Sequence, residues 1–575
     1  MQRFLLSFLV GLCFFSCETP PNPPDTILIN GNLWTADEKM PRVQALAIRD
    51  GLIVAVGAND EIEPLKGPAT EVVDLEGRFV MPGFIEGHGH FSGMGYSLMD
   101  LNFLKSKNWN EIVAAVAEAA KTAKPGEWIT GRGWHQEKWD EALKRHVQGY
   151  PYHDDLSEVS PDNPVLLRHA SGHALYANKA AMDAAGISRE TPDPAGGHIV
   201  RSPSGDAIGV FEERAMAAIA KVHEEYLATL SPEARLERWY KGIELAQREC
   251  LRHGITSFQD AGASFDEIAR YKKMAEEGKL DLRLWAMLRH SSADMKGKLG
   301  GFPILDAGNR HFTCRAIKTE LDGALGSYGA WLLEDYTDKP GFKGQNTTPI
   351  EEVAAIAELA RDHGLQLCVH TIGDRANREL LDLMERITYA QQSSEKGKLK
   401  DLRWRSEHAQ HVDPADIPRF AQLGVIASMQ GIHCTSDAPF VVKRLGEERA
   451  RTGAYPWQSL LAAGAVVTNG TDVPVEDVSP IESFYASVTR QRHQSGQMGL
   501  ELFPEQKMTR EQALHSYTLA CAYAAFEDNW KGSLSSGKVA DLVVLTNDLI
   551  ACPEEDILKT EAVMTMVGGR VFYRK

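Results

Sequence analysis

The chain has 575 residues, of which 43% are hydrophobic and 25% are charged. These values are ordinary for a soluble globular protein and argue against a disordered chain, a collagen or a polytopic membrane protein. The formal net charge is −17, and an acidic surface without a dense Lys/Arg cluster argues against nucleic acid as a partner. A chain of this length predicts one large domain of about 250 residues or more together with a smaller one.

The amino terminus has the pattern of an export signal. Arg3 precedes an apolar run that ends at Ser16-Cys17, and this run is shorter than the ~20 apolar residues needed to cross a bilayer. The small residue directly before Cys17 resembles the processing motif of bacterial lipoproteins. We therefore predict a signal peptide at 1–16, lipidation of Cys17 and a Pro-rich tether at 17–25. The protein would be exported and anchored by lipid to a membrane of the cell envelope, with ordinary secretion or an uncleaved anchor as alternatives.

The other cysteines form no recognisable pattern. Beyond Cys13 and Cys17, none of the six that remain belongs to a CxxC pair. A disulfide scaffold or a cysteine zinc site is therefore not expected, and buried free thiols are predicted instead.

Both ends of the chain carry short β-branched segments separated by Gly or Asp-Gly, which is the pattern of antiparallel hairpins. Neither end has enough strands for a stable sheet by itself. Residues 26–80 and 530–575 are therefore predicted to form one composite β-sandwich, with the middle of the chain inserted as a separate domain.

The middle of the chain alternates apolar strands with amphipathic helices, such as the helix predicted at Pro232–Arg252, which Ser231 caps. This rhythm is typical of a parallel sheet, and the number of units indicates a closed barrel. We predict an α/β fold in which residues 81–529 form a (β/α)8 TIM-like barrel. Residues of about 95–225 interrupt the rhythm and are predicted to be an α/β insertion after the first barrel strand.

Two histidines stand at the end of the first predicted barrel strand, in the segment VMPGFIEGHGH. Because side chains alternate along a strand, His88 and His90 lie on the same side, at the end of the barrel where active sites are built. His370, His408 and Asp472 likewise end or follow later apolar strands. Each alone can be a core imidazole, a surface histidine or a turn residue. Together at one mouth, they would need a cation to satisfy their polar groups.

A series of motifs runs in order along nearly the whole chain: GRFVMPGFIEGHGH, RGWHQEKW, SGHALYANKAAM, DPAGGHIVRSPSGDAIGVFEERA, HGITSFQDAG, RAIKTELDGALGS, VHTIGDRAN, SEHAQHV, NGTDVPV and LSSGKVADLVVL. Together they resemble amidohydrolase family 3 of the amidohydrolase superfamily, the group of YtcJ-like metal-dependent hydrolases. The resemblance implies a (β/α)8 barrel that carries a composite β-sandwich, in agreement with the strand pattern.

The resemblance also implies a set of metal ligands at the strand ends: His88, His90, His370, His408 and Asp472. Lys318 matches a lysine that can be carboxylated in similar enzymes to bridge two metals, and Glu320 is the alternative ligand. Zinc suits this set, and one or two such ions would lower the pKa of a bound water to about 7. Asp472 is then expected to serve as general base and afterwards as general acid in a hydrolysis.

Further positions are weaker candidates. Trp134, His173 and Asn178 match family positions that border the substrate, although a structural role in the insertion fits them equally well. His411 and His433 are interpreted as surface histidines near the mouth.

These observations predict an exported, metal-dependent amidohydrolase that cleaves a non-peptide C–N bond in a small-molecule N-acyl or N-substituted amide. A hydrolase of cyclic amides or esters with the same site is an alternative. Some similar proteins carry names of exoenzyme regulators, so a non-catalytic metal-binding regulator is a further alternative, and the complete set of predicted ligands favours the enzyme. The resemblance permits a homodimer.

Overall fold

The computed structural model describes residues 22–141, 143–194, 196–394, 401–494 and 497–575. The predicted signal peptide, Cys17 and most of the tether lie outside these ranges. Within them, none of the helices combines the length and the apolar character that crossing a bilayer requires. The six cysteines that follow Cys17 are free thiols, five of them buried and Cys552 partly buried, as predicted.

Eight parallel strands form the central barrel. Each strand pairs with the next along the chain, and the eight are Phe84–Gly89, Ile255–Ala263, Arg283–Leu288, Phe312–Glu320, Gln366–Thr371, Arg405–His408, Ile426–Ser428 and Val467–Thr468. Backbone hydrogen bonds join the segment after the last strand to the first strand, with Asp472 N donating to His88 O at 2.8 Å and His90 N to Val473 O at 2.7 Å. The predicted TIM-like barrel is therefore confirmed.

Two further sheets lie at one side of the barrel and share an apolar core. One contains, in spatial order, Leu52–Gly57, Ala45–Arg49, Thr26–Ile29 and Glu71–Asp74. The other contains Arg570–Arg574, Ala562–Val567, Leu542–Leu545, Phe79–Pro82, Asn32–Trp34 and Arg42–Val43. The second sheet thus combines strands from both ends of the chain, and the exact domain limits stay a prediction.

A separate sheet occupies the region between the first two barrel strands. Its strands, in spatial order, are Gly197–Arg201, Ala207–Glu213, Ala174–Ala177, Val165–His169, Ile129–Trp134 and Leu101–Asn102. Its apolar residues form their own core around Trp109, Trp134 and Tyr176.

The shorter strands are Ile304–Asp306, Gln491–Gln494 and Gln497–Glu501. The helices are Asn59–Ile62, Phe91–Ser97, Trp109–Ala120, Asp154–Val159, Lys179–Ala184, Met216–Ala228, Pro232–Arg252, Phe265–Glu276, Ser292–Met295, the kinked Ala307–Arg310, Ile350–Asp362, Asp374–Ser394, Ile417–Leu423, Gly431–Leu445, Glu447–Gly453, Trp457–Ala462, Pro480–Thr489, Arg510–Ser516, Leu519–Ala524 and Glu554–Ile557. Single 3-10 turns lie at Glu63–Leu65, Gln136–Lys138, Leu299–Gly301 and Pro504–Gln506. The helix predicted at Pro232–Arg252 has these bounds, and Ser231 Oγ caps it by accepting from Ala234 N at 3.1 Å.

The strand register brings the predicted ligands to one end of the barrel. Glu320 lies opposite His370, and Thr371 lies opposite His408, at the carboxyl ends of three neighbouring strands. His408 and Asp472 both adopt left-handed backbone conformations, with φ of 79° and 58°. Such conformations are costly for residues other than glycine and are often found at functional sites.

Candidate metal centre

Asp472 lies at the centre of a group of imidazoles at the barrel mouth. Its Oδ1 atom is 3.2 Å from His90 Nε2 and 3.6 Å from His88 Nε2, and its Oδ2 atom is 3.5 Å from His433 Nε2. Donor atoms of His88, His90 and Asp472 all lie within 4.8 Å of one another, as do those of His408, His433 and Asp472. Two donors bound to one tetrahedral zinc at about 2.0–2.2 Å are roughly 3.4 Å apart, so these spacings fit a shared ion.

The remaining predicted histidine completes the group. The ring centroids of His370 and His408 are 4.4 Å apart, and those of His88 and His408 are 4.7 Å apart. Three imidazoles from the first, fifth and sixth barrel strands therefore meet at one point. The structure thus brings together all five residues, four histidines and one aspartate, that the resemblance implied as ligands.

The protonation states suit metal binding. Burial lowers the pKa of His88 to about 4, and it lowers the pKa values of His370 and His408 well below their usual range. These imidazoles are therefore neutral at pH 7, and each has a nitrogen lone pair available to coordinate a metal ion. Burial alone would raise the pKa of Asp472, but the adjacent His433 and His90 imidazoles hold that pKa well below its usual range. Asp472 is a carboxylate under the same conditions.

Two buried polar atoms at this point are left without a hydrogen bond. Among the residues that the structure describes, neither His370 Nε2 nor Asp472 Oδ1 has a partner of acceptable geometry, although His90 Nε2 is close to the latter. Leaving such atoms unpaired in the interior costs about 1–3 kcal/mol each. Neutral imidazoles and a carboxylate with unpaired atoms fit a bound divalent cation, and zinc accepts this set of nitrogen and oxygen donors.

Lys318 and Glu320 take different positions. Lys318 is buried, and its Nζ atom lies 3.4 Å from His88 Nε2. Burial lowers the pKa of this amine, which favours the neutral form that carboxylation requires. Glu320 instead forms an ion pair with Arg289 at the edge of the barrel. Lys318 therefore lies within the group of predicted ligands, whereas the alternative ligand, Glu320, is paired with Arg289 outside it.

The insertion lies over the mouth, and a partly open cavity of about 80 Å³ lies above the histidines. The cavity is lined by Asp472 and His370 from the barrel and by Ser171 and His173 from the insertion. His173 Nδ1 lies 3.0 Å from Glu213 Oε2. Burial disfavours a charged His173, but this contact outweighs it and raises the pKa of the imidazole. The position of His173 is compatible with its predicted contact to substrate, which stays a prediction.

Trp134 and Asn178 do not reach the cavity. Trp134 is fully buried in the core of the insertion, and its Nε1 donates to Leu167 O at 2.9 Å. Asn178 is also fully buried and caps the helix Lys179–Ala184, with its Oδ1 accepting from Ala181 N at 3.0 Å. The structure gives both side chains a role in the fold of the insertion rather than at the substrate.

Two residues of this region were not predicted. His433 is buried beside Asp472, and His411 is buried as well, so the interpretation of both as surface histidines is wrong. His433 is the third residue of the helix Gly431–Leu445, which follows the seventh barrel strand, and its place just beyond a strand end is a usable signal. Glu407 directly precedes His408 and contacts His88 Nδ1 inside the barrel. Burial opposes its ionisation, but the Arg405 guanidinium and His88 hold the pKa of Glu407 below its usual range.

Comparison with known proteins agrees with this geometry. The model described as the amidohydrolase family matches residues 71–573. The chain belongs to the amidohydrolase family. The match confirms the predicted membership and supports a metal-dependent hydrolase as the broad function.

Individual members of the family align over nearly the full chain. A putative amidohydrolase, YtcJ, of Bacillus subtilis is 29% identical over 95% of this chain and 98% of its own length. An N-substituted formamide deformylase of Arthrobacter pascens is 28% identical over 96% of this chain and 98% of its own. The solved structure of an uncharacterized metal-dependent hydrolase from Pyrococcus horikoshii has a TM-score of 0.72 at 26% identity, covering 92% of this chain and 99% of that one.

Proposed function

We propose that the protein is an exported amidohydrolase that uses one or two zinc ions to cleave a non-peptide C–N bond in an N-acyl or N-substituted amide. One observation carries this proposal. Neutral imidazoles from several barrel strands converge on the deprotonated Asp472, and two buried atoms of this group lack hydrogen bonds within the described residues. The predicted ligands His88, His90, His370, His408 and Asp472 would hold the metal, with Lys318, carboxylated, as a bridge between two ions.

Asp472 is the residue that moves the proton. A metal ion bound here would polarise the carbonyl group and lower the pKa of water. The Asp472 carboxylate, ionised and within the cavity lining, accepts the proton of the attacking water and then donates it to the departing nitrogen. Its second oxygen faces His433 at 3.5 Å, which keeps the carboxylate oriented through both transfers.

The size of the cavity limits the acyl group. A volume of about 80 Å³ is far below the roughly 300–1,000 Å³ of usual small-molecule sites. A small acyl group would fit beside Asp472, and the rest of the substrate would extend through the open side of the cavity towards the insertion. The relative named an N-substituted formamide deformylase supports small acyl groups as the first substrates to test.

A substrate screen tests the proposal. The zinc-loaded protein would be incubated with N-substituted formamides, N-acetyl and N-formyl amino acids, lactams and esters, and metal content would be measured on the same samples. We expect hydrolysis of at least one open-chain amide. Turnover of lactams or esters alone would favour the alternative hydrolases, and a zinc-loaded protein that cleaves none of the panel would favour the non-catalytic metal-binding alternative.

The proposed location depends on Cys17, outside the described residues. The apolar run and the small residue before Cys17 support a lipid anchor. Cys17→Ser should abolish incorporation of labelled fatty acid and move the protein from the membrane fraction to the soluble fraction. Membrane association of the variant at the wild-type level would contradict the lipoprotein proposal without affecting the proposed chemistry.

A further inference from the structure

A buried ion pair lies directly beneath the metal centre, on the sixth barrel strand. Arg405 and Glu407 are both fully buried, and neither belongs to the set of proposed ligands. We propose that Arg405 and Glu407 are positioning residues that fix the His88 imidazole so that its Nε2 faces the metal. The inference rests on the proposed metal-dependent function and adds two residues to the machinery of that site.

The contact between Glu407 and His88 sets the orientation of the imidazole. Glu407 Oε2 lies against His88 Nδ1 within hydrogen-bonding distance, and both side chains are buried. A carboxylate only accepts hydrogen bonds, so the His88 proton resides on Nδ1. The lone pair is then on Nε2, which faces Lys318 Nζ at 3.4 Å and Asp472 Oδ1 at 3.6 Å. A carboxylate in this position also makes the imidazole a stronger metal ligand.

Arg405 holds Glu407 in place. Its Nη2 donates to Glu407 Oε2 at 3.1 Å, and its Nε lies 2.6 Å from Oε1 as an ion-pair contact whose angle does not suit a hydrogen bond. The same guanidinium donates to Gln259 Oε1 at 2.6 Å, to Gly87 O at 2.7 Å and to Ser428 Oγ at 2.7 Å. These partners lie on the second, first and seventh strands, and Gly87 directly precedes His88. Arg405 therefore ties Glu407 to the backbone that carries the ligand.

The energetics of buried ion pairs favour a functional role over a purely stabilising one. Removing two charges from water costs several kcal/mol per ion, and apolar replacements of a whole buried pair are often neutral or stabilising. Stability alone thus gives little reason for a charged pair at the centre of this barrel. A fixed carboxylate beneath a metal ligand gives a specific reason, because losing such a partner typically weakens metal binding roughly 10- to 100-fold.

His408 offers a comparison within the same group. Its Nδ1 contacts Gln430 Oε1 at 2.7 Å, which is a neutral amide instead of a carboxylate. Both imidazoles are oriented by an oxygen atom, but His88 alone of these two receives the added effect of a negative charge. Replacing Glu407 by an amide would therefore convert the His88 contact into the kind that His408 has.

Zinc affinity of the purified protein tests the inference. Glu407→Gln should raise the zinc Kd, measured by competition with a chromophoric chelator, roughly 10- to 100-fold. The visible absorption of the cobalt-substituted variant should also differ from that of the wild type, since the contact to His88 loses its negative charge and the imidazole becomes a weaker ligand. Neither measurement depends on knowing the substrate.

A double variant avoids an uncompensated buried charge. Arg405→Met with Glu407→Leu removes both charges, so the protein should fold, with a lower thermal midpoint because Gln259 Oε1, Gly87 O and Ser428 Oγ lose their donor. Its zinc affinity should fall by at least the factor found for Glu407→Gln, because no oxygen atom then orients His88. This variant keeps the test valid if the single substitution, which leaves Arg405 uncompensated, fails to fold.

Asp541→Asn is the matched control. It breaks another buried Arg–carboxylate pair, in which Arg283 Nε lies 2.6 Å from Asp541 Oδ2 and the side chains are 5% and 7% exposed. We expect a lower thermal midpoint with unchanged zinc Kd and cobalt spectrum. Equal weakening of zinc binding in the control would show that general destabilisation is the cause and would overturn the inference.

The remaining outcomes separate the two proposals. Wild-type zinc affinity and an unchanged cobalt spectrum in both Glu407 variants would overturn the positioning role and leave the proposed function standing. A wild-type protein that binds neither zinc nor cobalt would overturn both.

Discussion

The barrel mouth and the insertion both bury polar residues, but Asp472 at the mouth and Asn178 in the insertion differ in how completely their polar atoms are paired. Around Asp472, buried atoms such as His370 Nε2 have no hydrogen bond within the described residues. In the insertion, Asn178 uses both ends of its amide, accepting from Val165 N at 2.9 Å and donating to Asn163 O at 2.9 Å. Incomplete pairing, rather than polarity, therefore distinguishes His370 and Asp472 at the mouth from Asn178 in the insertion.

The backbone shows the same contrast. Asp472 and His408 adopt left-handed conformations that cost about 1–3 kcal/mol each. Asn178 has an extended backbone, with φ of −80° and ψ of 177°, which is ordinary for a residue that caps a helix. Strain and unpaired atoms occur together at the mouth, and both are absent at Asn178.

The largest effect is expected for Asp472→Asn. An amide cannot accept the proton of the attacking water, so kcat should fall roughly 10²- to 10⁴-fold on any substrate that the screen identifies. Much of the zinc should remain, because the imidazoles are unchanged. Steady-state kinetics and metal analysis on the same preparation check both parts.

Asp206→Asn provides the control for that substitution. Asp206 forms an exposed ion pair with Arg189 at 2.8 Å, on the surface of the insertion. Its replacement should leave both kcat and zinc content at wild-type values. Retained turnover in Asp472→Asn would show that another group is the base and that the unpaired Asp472 carboxylate has no catalytic role.

A smaller effect, on folding rather than catalysis, is expected for Asn178→Ala. The substitution leaves Val165 N, Ala181 N and the Asn163 carbonyl without their buried partner, and the free energy of unfolding should fall by roughly 2–4 kcal/mol. Zinc binding should be unchanged. Denaturant unfolding and metal analysis measure the two quantities.

Asn108→Ala is the matched comparison, since Asn108 caps the helix Trp109–Ala120 with a single exposed contact to Glu111 N at 3.1 Å. The substitution is expected to lower the free energy of unfolding by about 1 kcal/mol or less. If Asn178→Ala instead leaves stability intact and raises KM, Asn178 touches the substrate, and the structural assignment fails.

Several features of this contrast follow from sequence patterns, and others require the fold. Period-two alternation places His88 and His90 on one face, and the strand rhythm brings His370 and Asp472 to the same mouth. The same alternation places Arg405 and Glu407 on one face, but it cannot show that this face lies beneath His88. His433 comes from a helix, and its distance to Asp472 depends on how that helix packs. Motifs around Trp134 and Asn178 look like site motifs because capping and core packing also use polar and aromatic residues.

The smallest expected effect concerns acid sensitivity of the insertion. Burial, together with the nearby charge of Lys138, lowers the pKa of His169 from its usual 6.5 to about 3. As the pH falls below 6.5, the unfolded chain binds a proton that the folded protein does not, so the stability of the wild type decreases between about pH 6.5 and pH 3.

His169→Gln removes this contribution while retaining a polar side chain for the contacts with Ser171 and Gln136. At one pKa unit per 1.36 kcal/mol, the stability of the variant relative to the wild type should rise by roughly 2 kcal/mol on going from pH 7.5 to pH 5. Unfolding of metal-free protein at both pH values measures this change, and because the imidazoles of the metal centre titrate equally in both proteins, their effect cancels. A difference that does not vary with pH would mean that His169 is protonated in the folded insertion, and that this core tolerates unpaired charge as the barrel mouth does.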